Sequence, residues 1–232
     1  MNHIIDFHAH IVPRADHGCE SAAEAAKQLT MLHNAGVATV VATPHFYPNQ
    51  HNVADYLSAV DRGIEALCQS RPEHSPKLYA GAEILLCPNI HRMPDFEKLC
   101  IRGTNVLLLE LPFCSVSDDI FETVDDILSL GYTVVLAHIN RYLHMFRDQI
   151  DELLDMGALA QINATALTGF WERRRLMPYL RSEKVVAFGS DLHGQDQYLL
   201  DAFASLEKLP QDTVARIFER STALLANAEE VK

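Results

Sequence analysis

A single α/β domain of parallel strands is the architecture expected for these 232 residues. Three features point to it. Seven short apolar, β-branched runs alternate with longer amphipathic segments. The runs are apolar almost throughout, as strands covered on both faces are. The stretches between them are long enough for right-handed crossovers, which enforce parallel pairing. Two arrangements satisfy the pattern: an open doubly wound sheet, and a seven-stranded variant of the (β/α) barrel.

In chain order, the first strand covers 4–7, and a helix over 20–35 stops at Gly36. A strand at 39–42 leads to a helix over 53–69, then strands at 78–82 and 106–109. The next helix, 118–130, opens on acidic residues that suit a helix N-terminus and stops at Gly131. A strand at 133–137 precedes a helix over 146–156, which stops at Gly157. Glycine just past a helix relieves the left-handed conformation that ends it. A strand at 159–162, a helix over 171–181 and a strand at 185–188 complete the alternation, before helices at 197–206 and 211–226. The loop 71–77 is short, and no linker, repeat or low-complexity tract divides the chain, so 1–232 reads as one domain.

Composition narrows the function. The net charge is −12, with 19 Lys+Arg against 31 Asp+Glu. Phosphate neutralisation needs clustered basic residues, so nucleic acid is not expected as a ligand. A chain of this length and 48% hydrophobic content buries a core without disulfides. Its five Cys are an odd number with no CxxC, which suits reduced thiols and a cytoplasmic location. No Cys has Arg six positions later, so no thiolate phosphatase loop is present, and no GxxxxGK[ST] motif suggests an NTPase. The N-terminus lacks the pattern of a signal peptide, and no apolar run approaches the length of a membrane span. The unusual feature is twelve His.

The residues just past each strand are the most informative. The first strand runs into Asp6-Phe7-His8-Ala9-His10, the second into Thr43-Pro44-His45. Glu83 ends the third and Glu110 the fourth. The fifth leads to His138-Ile139-Asn140-Arg141, the seventh to Ser190-Asp191-Leu192-His193, and the sixth offers only Asn163. In parallel α/β proteins the C-terminal strand ends form one rim, where sites are built. A single HxH pair is close to chance in so His-rich a chain. A carboxylate ending a buried strand is harder to dismiss, because it needs a positive partner. Lysine and arginine are scarce near these ends, and a metal cluster explains all the positions at once. His8 and His10 share one face of a strand, and Asp191 and His193 repeat the spacing. Imidazole and carboxylate without thiolate favour manganese, iron or zinc in a catalytic setting. The set exceeds what one ion needs and suits two or three, with Glu83 as the bridge. Adjacent divalent ions generate hydroxide near neutral pH and stabilise phosphoryl displacement.

The ordered set HxH, TPH, GAE, a strand-end Glu, AHIxR and SDxH resembles the PHP (polymerase and histidinol phosphatase) family. It is most similar to the bacterial branch of metal-dependent protein-tyrosine phosphatases that regulate capsular and exopolysaccharide synthesis. The resemblance runs from residue 4 to about 225. It implies a distorted (β/α)7, TIM-like barrel with two or three divalent ions, manganese foremost and iron or zinc as alternatives. The implied ligands are His8, His10, His17, His45, Glu83, Glu110, His138, Asp191 and His193. Arg141 would hold the substrate phosphate. The family pattern Pro-Gly-Val-Asp-Asp-Gly is here Pro13-Arg14-Ala15-Asp16-His17-Gly18, which puts His17 in the ligand position, with Asp16 as its support or as a proton donor. The Arg- and Pro-containing segment that comes after SDxH in this branch is replaced by Gly194-Gln195-Asp196-Gln197-Tyr198; Arg14, Arg173, Arg174 or Arg175 is the expected replacement for its arginine.

The reaction implied is phosphomonoester hydrolysis by a metal-bridging hydroxide, with Arg141 neutralising charge and Asp16 or His45 assisting the leaving group. The implied partner is a phosphotyrosine tail of a bacterial tyrosine kinase; an oligomer is left open. A histidinol-phosphate or other small-molecule phosphatase is the rival within the family, and a non-catalytic metal-binding regulatory module the rival outside it. His3, His33, His51, His74, His91 and His144 lie away from strand ends and are expected to be ordinary surface residues. Arg173-Arg174-Arg175 reads as a solvated helix face, with contact to substrate as the lesser alternative.

Overall fold

The computed structural model describes residues 4–231. Its strands are β1 (Ile4–Ala9), β2 (Val37–Ala42), β3 (His45–Phe46), β4 (Lys77–Ala80), β5 (Glu83–Leu85), β6 (Val106–Glu110), β7 (Thr133–Leu136), β8 (Leu159–Asn163) and β9 (Val185–Gly189). The helices between them are α1 (Ala22–Asn34), α2 (Val53–Ser70), α3 (Asp118–Ser129), α4 (Ile139–Tyr142), α5 (Arg147–Met156), α6 (Phe170–Arg181), α7 (Gln197–Asp201) and α8 (Gln211–Leu224).

All strand pairs are parallel. They form two sheets, in the orders β1-β2-β4 and β3-β5-β6-β7-β8-β9, and not one closed ring. The expected second strand, 39–42, lies inside β2 and is followed by an additional short strand, β3, while the expected third, 78–82, already stops at Ala80. Pro44 lacks an N–H and parts β2 from β3. Gly81 and Ala82 part β4 from β5, so Glu83 opens a short strand where it was expected to end a longer one. Backbone bonds bridge the breaks: Thr43 N–H donates to Ala9 O and Gly81 N–H to Ala42 O, both at 2.9 Å, and Glu83 N–H to Pro44 O at 3.1 Å. The first and last strands also meet. Asp191 N–H donates to His8 O at 2.8 Å, and His10 N–H to Leu192 O at 2.9 Å.

Local chemistry sets the helix ends. The Ser21 hydroxyl caps α1 through Glu24 N–H, and the Asn52 amide caps α2 through Asp55 N–H. Gly36, Gly131 and Gly157 come after α1, α3 and α5 with φ of 82°, 89° and 120°, as the glycine positions predict. The helix expected over 197–206 is shorter: α7 gives way to a 3-10 segment at Ala202–Lys208.

Two apolar clusters hold the domain together. On β6, Leu107 and Leu109 enter the large one, packed against the helices, whereas Val106 and Leu108 enter a smaller one with Ile5, Phe7, Val41, Val135 and Val186. This alternation covers the strand on both faces, as its unbroken apolar sequence predicts.

Candidate metal centre

The polar strand ends converge. Asp6, fully buried, ties β1 to the end of β9 by accepting from Ser190 N–H at 2.8 Å and the Ser190 hydroxyl at 2.6 Å. Burial pushes its carboxyl up to about 6 against the pull of these donors. Gly189 allows the close approach: a Cβ there would lie 2.6 Å from Gln161 Nε2 and 2.7 Å from His8 Cβ. His138 and Asp191 turn out of β7 and β9 with φ of 29° and 58°, a left-handed backbone that swings each side chain away from its strand.

Glu83 sits at the middle of the cluster. Its Oε2 lies 3.2 Å from His8 Nε2 and from His10 Nε2, and 2.8 Å from His45 Nδ1. Its Oε1 accepts from His138 Nε2 at 2.7 Å. Asp191 Oδ1 lies 3.7 Å from His8 Nε2 and 3.4 Å from His10 Nε2. On the far side, Glu110 Oε1 accepts from the Tyr142 hydroxyl at 3.1 Å and from Arg141 Nη1 at 3.3 Å. Arg141 Nη2 also donates to Asp191 Oδ2 at 2.7 Å.

The charges perturb one another. Burial works against ionisation throughout, yet the imidazoles hold Glu83 and Asp191 well below the usual carboxylate range. Conversely, Glu83 and Asp191 raise His8 against its burial, and Asp16, Asp191 and Glu83 raise His10. His193 goes the other way, to about 4, through burial and the nearby His10.

Three sets of side chains converge closely enough to hold cations: His10, His45 and His193; His8, His10, Glu83 and Asp191; and His45, Glu83 and Glu110. Each two of them share one residue, His10, His45 or Glu83, so they are neighbouring positions of one centre. The hydrogen bonding fits this use. His10 Nδ1 donates to Asp16 Oδ2 at 2.6 Å, His8 Nδ1 to Gln161 Oε1 at 3.3 Å and His193 Nδ1 to Asp191 O at 3.0 Å. Each ring thus turns Nε2 towards the cluster, the orientation of metal-bound histidines. His193 Nε2 and Glu83 Oε2 are buried without a hydrogen-bond partner, which a cation would supply.

Asp16 braces this arrangement. Besides His10 it accepts from His45 N–H at 2.8 Å and Gly18 N–H at 2.9 Å. Despite burial, these bonds hold its carboxyl below the usual range, so here it acts as a hydrogen-bond acceptor. His17 is exposed and stacks on His45, with ring centroids 5.0 Å apart, and on His193 at 4.7 Å. It borders the centre without joining the three sets.

The strand that seemed to offer only Asn163 does more. Gln161 Oε1 accepts from His138 N–H at 2.6 Å as well as from His8, its Nε2 donates to Asn163 Oδ1 at 2.8 Å, and Asn163 Nδ2 donates to Asp191 Oδ2 at 3.2 Å. This buried amide pair orients three of the candidate ligands. A glutamine inside an apolar strand was the signal for it.

A cavity of about 520 Å³ opens at the centre, with His17, His45, Glu110, Arg141, Asp191 and His193 in its lining. Arg14 is not there. Its backbone is left-handed, with φ of 58°, and its Nε donates to Glu20 O. Arg173 and Arg175 are held locally, by Leu167 O and Glu172. The remaining histidines stay apart from the centre: His91 faces Asp126, His51 accepts from Tyr47 N–H, His33 and His74 lie near each other, and His144 is exposed. His3 lies outside the described residues. Among the described residues no helix is long and apolar enough to cross a membrane.

A family model described as capsular polysaccharide synthesis, CpsB/CapC, matches residues 4–225. The tyrosine-protein phosphatase CpsB of Streptococcus agalactiae serotype V is 26% identical over 207 residues, covering 83% of this chain and 84% of that protein. The tyrosine-protein phosphatase YwqE of Bacillus subtilis is 26% identical over 179 residues, covering 74% and 68%. A chain from the crystal structures of YwqE from Bacillus subtilis and CpsB from Streptococcus pneumoniae, described as unique metal-dependent tyrosine phosphatases, superposes with a TM-score of 0.79. It is 22% identical and covers 97% of this chain and 96% of its own. A β-aspartyl dipeptidase from Fervidobacterium islandicum shares the fold more distantly, with a TM-score of 0.56 at 13% identity, covering 100% of this chain and 77% of its own.

Proposed function

Because the chain belongs to the CpsB/CapC family of capsular polysaccharide synthesis, we propose that it is a metal-dependent phosphatase that hydrolyses phosphotyrosine on a protein of that system. The tyrosine-bearing tail of a bacterial kinase is the substrate in this reading. One observation carries the reading above the others: three cation-competent sets, linked pairwise through His10, His45 and Glu83, border an open cavity whose lining includes His45, Glu110, Asp191 and His193. We read the two sheets as a (β/α)7 barrel interrupted at Pro44 and Gly81, with this cavity at its mouth.

In this reading His8, His10, His45, Glu83, Glu110, His138, Asp191 and His193 hold two or three divalent ions, manganese first, and His17 completes the set from the rim. When bound, such ions supply Lewis acidity towards a phosphoryl group and acidify water. The chain's own residues do the rest. Arg141 reaches the cavity from beside Glu110 and Asp191, and its guanidinium offers a planar pair of donors to non-bridging phosphoryl oxygens. Asp16 keeps the His10 ring in its orientation. His45 serves as a ligand, which leaves no side-chain acid assigned to the leaving group; a phenol, with a pKa of about 10, departs with little help.

The test is direct. Manganese-loaded protein should hydrolyse p-nitrophenyl phosphate and a phosphotyrosine peptide, lose both activities to a chelator and regain them with manganese. A loaded protein inert towards both esters refutes the proposal. A higher kcat/KM on histidinol phosphate than on the peptide reassigns it to the small-molecule branch.

A further inference from the structure

The cavity lining also has an apolar part that the metal centre does not explain. Tyr47, Leu85, Pro112 and Phe113 line it. They lie at or just past the ends of three neighbouring strands, since β3 pairs with β5 and β5 with β6, where Leu85 stands opposite Glu110. At about 4.8 Å per strand spacing, this row is about 10 Å wide, enough for one aromatic ring between its outer members.

Both outer members are held in place. The Tyr47 ring lies 5.1 Å from His45 at an interplanar angle of 19°, and its backbone N–H donates to His51 Nδ1. The Phe113 ring packs 5.3 Å from the buried Tyr142, and the Arg141 guanidinium carbon lies 6.0 Å from its centroid. Phe113 is nonetheless 57% exposed, a large apolar surface left facing the cavity and solvent. The polar side, with Arg141 and the ligand carboxylates and imidazoles, suits a phosphate. The neighbouring apolar row suits the organic half of a phosphate ester.

We propose that Tyr47 and Phe113 form an aryl subsite, which clamps the ring of a phenolic phosphate ester and selects it over alkyl esters. The proposal rests on the phosphatase reading and adds to it the residues that confer specificity. Aromatic faces 4.5–7 Å apart attract beyond their buried area, while a short alkyl chain gains little from them.

Phenylphosphonate and methylphosphonate are the probes, since neither is hydrolysed. Calorimetry on manganese-loaded protein should give phenylphosphonate about tenfold tighter binding than methylphosphonate. Phe113→Ala and Tyr47→Leu should each reduce that ratio to about threefold or less. Inorganic phosphate affinity should change less than twofold, about the scatter expected of a group outside its contacts. Phe113→Leu, which keeps apolar area without a ring, should fall between. In turnover, the phenyl phosphate to glycerol phosphate ratio of kcat/KM should drop through KM rather than kcat. An equal affinity for the two phosphonates in the unaltered protein overturns the proposal. So does an unchanged ratio in both truncated variants, or a parallel loss of phosphate affinity, which would mark a collapsed cavity. If neither ester turns over, the phosphatase reading fails, and the phosphonate ratio still decides whether the aryl subsite exists.

Discussion

β6 passes through two environments within five residues. Val106 and Leu108 join the small apolar cluster; Glu110, next on the same face, stands beside Arg141, Tyr142 and the cation-competent imidazoles. The apolar end needs nothing from outside, because each side chain there is satisfied by contact alone. The polar end assembles Glu83, Asp191 and Glu110 around rings that only protons or a metal can render positive. One end therefore serves stability whatever the solution contains, and the other makes stability depend on what is bound.

The comparison can be broken at either end. The largest effect is expected from Glu83→Gln, which removes the shared carboxylate. Metal content measured by elemental analysis should fall below one ion per chain, and phosphatase activity by more than about 10³-fold, beyond the 10–100-fold typical of supporting residues. Arg141→Met should lower kcat by about 10²–10³-fold while leaving metal content intact, as loss of a charge-stabilising donor does. At the apolar end, Leu108→Ala should lower unfolding free energy by about 2–5 kcal/mol in denaturant titrations, with metal content of the folded protein preserved. Gln161→Leu sharpens the boundary, since it lies between the two: metal affinity should weaken by about 10–100-fold.

The smallest effect is the dependence on pH. In chelated protein, Glu83 and Asp191 raise His8, and Asp16, Asp191 and Glu83 raise His10, above their ordinary values. Their contribution to stability is complete below about pH 6.5 and disappears as pH rises through the raised values. Thermal midpoints of the chelated protein should therefore decline above neutrality. With metal bound the rings are neutral ligands, and the decline should vanish. A chelated protein whose midpoint climbs over that range contradicts the charge pattern described.

Much of the polar end was readable before any coordinates, because a histidine or acid closing an apolar run has few reasons to be there. His8, His10, His45, Glu83, Glu110, Asp191 and His193 all reach the cation-competent sets. What was not readable depends on long-range packing. The interruptions at Pro44 and Gly81 leave the apolar pattern intact while splitting the sheet. Arg14 was expected to face substrate, but its left-handed backbone turns it to Glu20. The work of Gln161 depends on partners 23 and 153 residues away. Tyr47 and Phe113 resemble any aromatic residue after a strand until the cavity shows what they face.

The hydrogen bonds from Asp191 to His8 and from His10 to Leu192 join the two extremes of the ligand series. During translation His8 emerges 183 residues before Asp191, and His10 183 residues before His193. A nascent fragment lacking β9 also lacks Asp191 and His193, which belong to two of the three cation-competent sets. Completion of the centre therefore waits on the last strand, and a product that stops before β9 carries the first two imidazoles without Asp191 and His193 beside them.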